Sequence, residues 1–136
     1  MSVCSLREGK SSLTLSSTPD GSRDYLVSVE AAVNGFSGHA DGHVAGRDWE
    51  TFMADLERLE QARQGKACLA SAAEGDFELT VHSIDSQGHM GVSGLLRYRE
   101  AGVEDWPQQH LRFAFEFDPT KLAAFLHGLA RVTRAG

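Results

Sequence analysis

The stretch YLVSVEAAVNGFSGHADGHVAGRDWETFMADLERLEQAR, residues 25–63, contains the change of period that decides the fold class. In its first third Tyr25, Val27 and Val29 alternate with Leu26, Ser28 and Glu30. That is the two-residue period of a strand with one face toward a core. Asn34-Gly35 is the dipeptide that best tolerates positive φ at both centres of a two-residue hairpin turn. Phe36 to about Val44 is therefore predicted to return as the partner strand, although glycine and small residues weaken the signal. From Asp48 the period changes. Trp49, Phe52, Met53, Leu56 and Leu59 recur every three or four residues and predict a helix over 48–63 with one apolar stripe. Its other face carries Glu50, Asp55, Glu57, Arg58 and Gln61, and acids in the first turn suit the helix dipole. Gly65 is the predicted stop.

Upstream of this stretch, residues 1–10 show no periodicity and are expected to be loosely ordered. Leu13 and Leu15 mark a short strand, and Thr18-Pro19-Asp20-Gly21 is a strong turn signal. Downstream, 66–71 reads as an edge strand, and Phe77, Leu79 and Val81 alternate as another. Asp85 to Gly88 is a turn, and 90–99 returns as its partner. A loop over 101–109 contains Trp106-Pro107. Leu111, Phe113, Phe115 and Phe117 then share one strand face. Asp118-Pro119 has the chemistry of an N-cap followed by the first helical position, and Leu122, Phe125, Leu126 and Leu129 form the stripe of that helix.

Advancing the first helix by 73 residues sets Trp49 on Leu122, Phe52 on Phe125, Met53 on Leu126, Leu56 on Leu129 and Leu59 on Val132. Helices share such spacing by default, so the match alone does not establish duplication. The order strands, helix, strands, helix implies an α+β fold. The expected architecture is an antiparallel sheet of six or seven strands with both helices packed on it, its outer face left for water or a partner.

The 136 residues, 41% hydrophobic and 24% charged, suit a single domain over 1–136 whose core needs no disulfide or structural metal. The two cysteines, Cys4 and Cys68, form no CxxC pair, which argues against a zinc site of the usual kind. Unpaired thiols suit a reducing compartment, so a cytoplasmic location is expected. The first residues lack the apolar core of a secretory signal, and no apolar run approaches the ~18 residues of a membrane span. A net charge of −6 argues against general nucleic-acid binding. The charge is uneven. Residues 41–60 hold Asp41, Asp48, Glu50, Asp55, Glu57 and Glu60 against Arg47 and Arg58, whereas only Lys121, Arg131 and Arg134 follow Asp118. Such a face either meets a basic partner or is simply solvated.

His39, Asp41 and His43 alternate along one predicted strand and can share a face, a conceivable ligand or acid–base set. Exposed polar residues on a glycine-rich segment are the blander account. His82 and His89 flank the 85–88 turn, and Glu74, Asp76 and Glu78 lack the pattern of a calcium loop. No GxSxG elbow, reactive-cysteine setting or phosphate loop occurs. No catalytic residue, metal or cofactor is predicted. Trp106, in a polar loop between Asp105 and Pro107, suits an interface anchor or a cover folded back over the sheet edge.

Two segments resemble one family. The glycine-rich strand from Phe36 through Gly46-Arg47-Asp48-Trp49 into the helix Glu50 to Leu59 is similar to the middle of WapI-type immunity proteins. Leu111-Arg112-Phe113-Ala114-Phe115-Glu116-Phe117-Asp118, leading into Lys121-Leu122-Ala123-Ala124-Phe125, resembles that family's last strand and helix. The likeness spans roughly 24–132 and rests on pattern and order. It implies a non-enzymatic cytoplasmic antidote that binds a cognate toxin domain, often a nuclease, delivered by contact between competing bacteria. The family has no catalytic set to carry over. A negative face toward a basic substrate cleft would raise on-rate and specificity. The candidate partner-binding residues are Asp48, Glu50, Asp55, Glu57, Glu60 and Trp106. Two other readings stand beside this one: a small-molecule- or metal-binding domain using His39, Asp41 and His43, and an oligomerising module using an exposed sheet face or edge.

Overall fold

The computed structural model describes residues 2–72, 76–98 and 109–135. Eight strands and two helices follow in the order β1 (Ser2–Glu8), β2 (Ser11–Pro19), β3 (Tyr25–Val33), β4 (Phe36–Val44), α1 (Gly46–Ala62), β5 (Lys66–Ala70), β6 (Phe77–Ser83), β7 (Met90–Tyr98), β8 (Gln109–Phe117) and α2 (Lys121–Ala135). The class is α+β, as expected, but one sheet of six or seven strands is not what forms. β1-β2-β3-β4 and β5-β6-β7-β8 are two separate antiparallel meanders. The reason is the placement of the helices. α1 packs along β5, the first strand of the second sheet, and α2 packs along β1, the first strand of the other. Each helix thus lies against the sheet it does not follow, and β4 meets β6, β7 and β8 across the interior. Both sheets turn their apolar faces inward, and one contiguous core draws on Leu13, Val29, Trp49, Phe77, Phe117 and Phe125.

Three local outcomes differ from the sequence reading. The opening residues, expected to be loosely ordered, form β1 and pair with β2 from Ser2↔Ser17 to Glu8↔Ser11. Only Cys4 and Leu6 mark its buried face, too few to register as a period. α1 ends on Arg63, not on Gly65. Arg63 takes the left-handed conformation at φ 58°, and its N–H reaches Leu59 O at 2.9 Å. At the other helix, Asp118 accepts from Thr120 N–H at 3.0 Å as a cap should, yet α2 begins at Lys121, beyond a tight turn through Pro119. The 34–35 hairpin forms as predicted, with φ of 51° and 89°.

The 73-residue correspondence extends past the helices. It carries β4 onto β8 from end to end with the same alternation, Ala40 and Val44 buried in one, Phe113 and Phe117 in the other. Gly38 and Leu111 are equivalent in this alignment, and they face each other: a Cβ on Gly38 would lie 2.9 Å from Leu111 Cδ2. Equivalent positions of the two strand–helix units are thus in contact, and α1 packs on β5 as α2 packs on β1.

Candidate interaction surfaces

α1 begins without a side-chain cap of its own. Instead Gly46 N–H donates to Asp24 Oδ1 at 3.0 Å. The backbone there passes so close to Arg23 that a Cβ would stand 2.0 Å from its carbonyl oxygen, so only glycine fits. This contact fixes the helix against the turn after β2. A mixed-charge hollow of about 800 Å³ lies between them, lined by Arg23, Asp24, Arg47, Asp48 and Glu50 among others.

The five acids of α1 do not form one face. At about 100° per residue, Glu50 and Glu57 fall on one flank with Ala54 and Gln61. Asp48 and Asp55 fall on the opposite flank, and Arg47 and Arg58 lie between. Glu50 and Glu57 are exposed, as is Asp48. Asp55 is half-buried and held by Arg58 at 2.8 Å, and Glu60 lies 3.7 Å from Arg63. The exposed negative charge is therefore narrower than the sequence suggests and is densest on the Glu50–Glu57 flank. Trp106 lies outside the described residues.

His39, Asp41 and His43 do share the outer face of β4, all exposed. His39 Nε2 lies 3.1 Å from Asp41 Oδ1, and Ser28 Oγ donates to the same oxygen at 2.5 Å. The serine is thus bonded to the carboxylate, not to the imidazole, which is not the arrangement of a nucleophile and its base. Among the described residues no three His, Cys, Asp or Glu side chains are grouped to hold a metal. The neighbouring hollows, about 240 and 300 Å³, are lined by serine, threonine, Glu30 and His39.

At the 85–88 turn, His89 Nδ1 lies 2.6 Å from Asp85 Oδ2, while Asp85 Oδ1 accepts from Gln87 N–H at 2.9 Å. The hydrogen bond to His89 holds the Asp85 carboxyl below its usual range, and the bond to Asp85 raises the His89 imidazole. A raised histidine contributes stability below its unfolded pKa and loses it as pH rises through the folded value. A lowered aspartate contributes above its unfolded pKa and loses it as pH falls. The pair therefore supports the turn most between about pH 4 and 6.5. In an NMR titration the His89 ring is expected to protonate at higher pH in the native protein than in Asp85→Asn. Equal midpoints would refute the pairing.

Two features had no legible signal. Glu8 binds Lys121 Nζ at 3.0 Å and Asp118 N–H at 2.8 Å, tying the β1–β2 turn to the start of α2. The Lys121 bond, then that N–H, lower the Glu8 pKa. Phe36, at the hairpin tip, is 70% exposed, although its parity places it with the inward residues of β4.

The family model described as immunity protein WapI-like matches residues 9–135. No curated protein and no solved structure matches the chain.

Proposed function

The chain belongs to the WapI-like immunity protein family, and from that premise we propose that it neutralises a cognate toxin domain in the cytoplasm by binding it directly, with no catalysis of its own. The observation that carries this reading is the family match over nearly the whole chain. The net charge of −6 supports it, because a negative antidote is steered toward a basic catalytic cleft. Within the helix expected to bind, Glu50 and Glu57 are the foremost contacts, since no arginine of their own helix holds them, and Asp48 is secondary. Asp55 and Glu60 contribute less because Arg58 and Arg63 offset their charge. Trp106 stays in the proposal as an anchor on sequence grounds alone.

The test is co-expression with the toxin C-terminal domain encoded immediately upstream. Cells carrying both genes are expected to survive, and the two proteins to co-purify as a one-to-one complex. Death of the co-expressing cells, or survival without a complex, would overturn neutralisation by direct binding.

A further inference from the structure

The two sheets have four edge strands, and three of them are attended: α2 packs along β1, α1 along β5, and β8 lies beside β1. β4 differs. Its inward glycines press on Leu111, Ser71 and Phe77, and among the described residues no helix packs along its free edge. The two-residue turn makes Val33–Phe36 a hydrogen-bonded pair, so Phe36, Gly38, Ala40 and Gly42 direct their backbone groups to β3. Ser37, His39, Asp41 and His43 direct theirs away. The one such group with a backbone partner among the described residues, His43 C=O, accepts from Ala72 N–H at 2.6 Å, in agreement with this parity. From Ser37 to Asp41 the edge is open among the described residues.

This edge is lightly guarded, with Asp41 its one charged side chain. β4 is nine residues long, pairs with β3 without a bulge, and contains no lysine or proline. Its counterpart β8 carries Arg112 and Glu116 at outward positions. β4 begins instead with the exposed Phe36.

We propose that the open edge of β4 is a self-association site, where a second copy of the chain pairs antiparallel through residues 37–41 about a two-fold axis at His39. Ala72 occupies position 43, so the free window is symmetric about residue 39, and only this register uses all of it. Ser37 then lies opposite Asp41 of the second copy, a hydroxyl donor facing a carboxylate, and the match repeats across the axis. Each of the three facing pairs exchanges two backbone hydrogen bonds. Phe36 falls opposite Gly42, beside Ser71 and Phe77, which pack against that glycine. A strand of arbitrary sequence lacks this complement, which is why a second copy is the occupant. The inference goes beyond toxin neutralisation and does not depend on it.

Sedimentation velocity of the purified full chain, without any toxin, from low micromolar to millimolar concentration, tests this. A reversible monomer–dimer equilibrium is expected. His39→Lys sets two ammonium groups face to face and is expected to weaken the dimer by about tenfold or more. Ser37→Lys sets an ammonium group opposite Asp41 and is expected to leave the dimer intact or tighter. Both changes lie on an exposed edge, and circular dichroism confirms that each variant is folded. A monomer at every concentration overturns the proposal. So does a dimer indifferent to His39→Lys, or one weakened equally by both lysines, because either would use another surface or register.

Discussion

Trp49→Ala is expected to destabilise the protein by about 3–5 kcal/mol. The side chain is fully buried. Its ring lies 5.1 Å from Tyr25 of β3 and 6.2 Å from Phe52 one turn along α1. Truncation therefore removes a large apolar surface and leaves a cavity at the point where the helix is held to the first sheet. Gly46 and Asp24 alone cannot replace that contact, because a single hydrogen bond to a carboxylate contributes only about 1.5–3 kcal/mol. Leu122 occupies the equivalent place in α2, and Leu122→Ala is expected to cost about 2–5 kcal/mol. Denaturant titration followed by circular dichroism measures both. For Trp49→Ala the fall in Tm is expected to be about 10–20 °C. A loss below about 1 kcal/mol would mean that the first turn of α1 is anchored by something other than the tryptophan. Losing that anchor would also displace Asp48 and Glu50, so toxin binding is expected to weaken in step with stability.

Residues 25–63 are legible in the sequence because their physics is local. Alternation at Tyr25, Val27 and Val29, positive φ at Asn34 and Gly35, and helical spacing from Trp49 to Leu59 each depend on neighbours in the chain. What was not legible is non-local. Alternation tells which face of a strand is buried but not which surface buries it, so the expectation is one sheet of six or seven strands where eight strands form two. Gly38 and Gly42 weakened the β4 signal for the same reason. Their lack of a side chain is a requirement set by Leu111, Ser71 and Phe77, which lie far away in sequence. The acidic helix was legible as composition only. Ion pairing of Asp55 with Arg58 and Glu60 with Arg63 is legible in the three-residue spacing, but the same spacing offers Arg47 to Glu50, so spacing alone does not single out Glu50 and Glu57. The shared face of His39, Asp41 and His43 was legible from parity. The bond of Ser28 to Asp41 was not, because it needs the β3–β4 register.

Reversing both acids of one flank, Glu50→Lys with Glu57→Lys, is expected to weaken toxin binding by about 10–100-fold, chiefly through slower association at low salt. Stability is expected to change by no more than about 0.5 kcal/mol, since both positions are exposed. The matched control is Asp48→Lys with Asp55→Lys, the same charge change on the opposite flank of α1. It breaks the Asp55–Arg58 pair on the helix surface, a loss of about 1 kcal/mol in stability, and is expected to alter binding only a few-fold. The comparison separates two causes that net charge confounds. If the protein as a whole steers the toxin, both doubles slow association equally. If the toxin seats on the Glu50–Glu57 flank, the first double has the larger effect, and the excess persists at high salt, where long-range steering is screened. Unchanged affinity in the first double, measured by stopped-flow association and by titration calorimetry, would remove this flank of α1 as the binding surface.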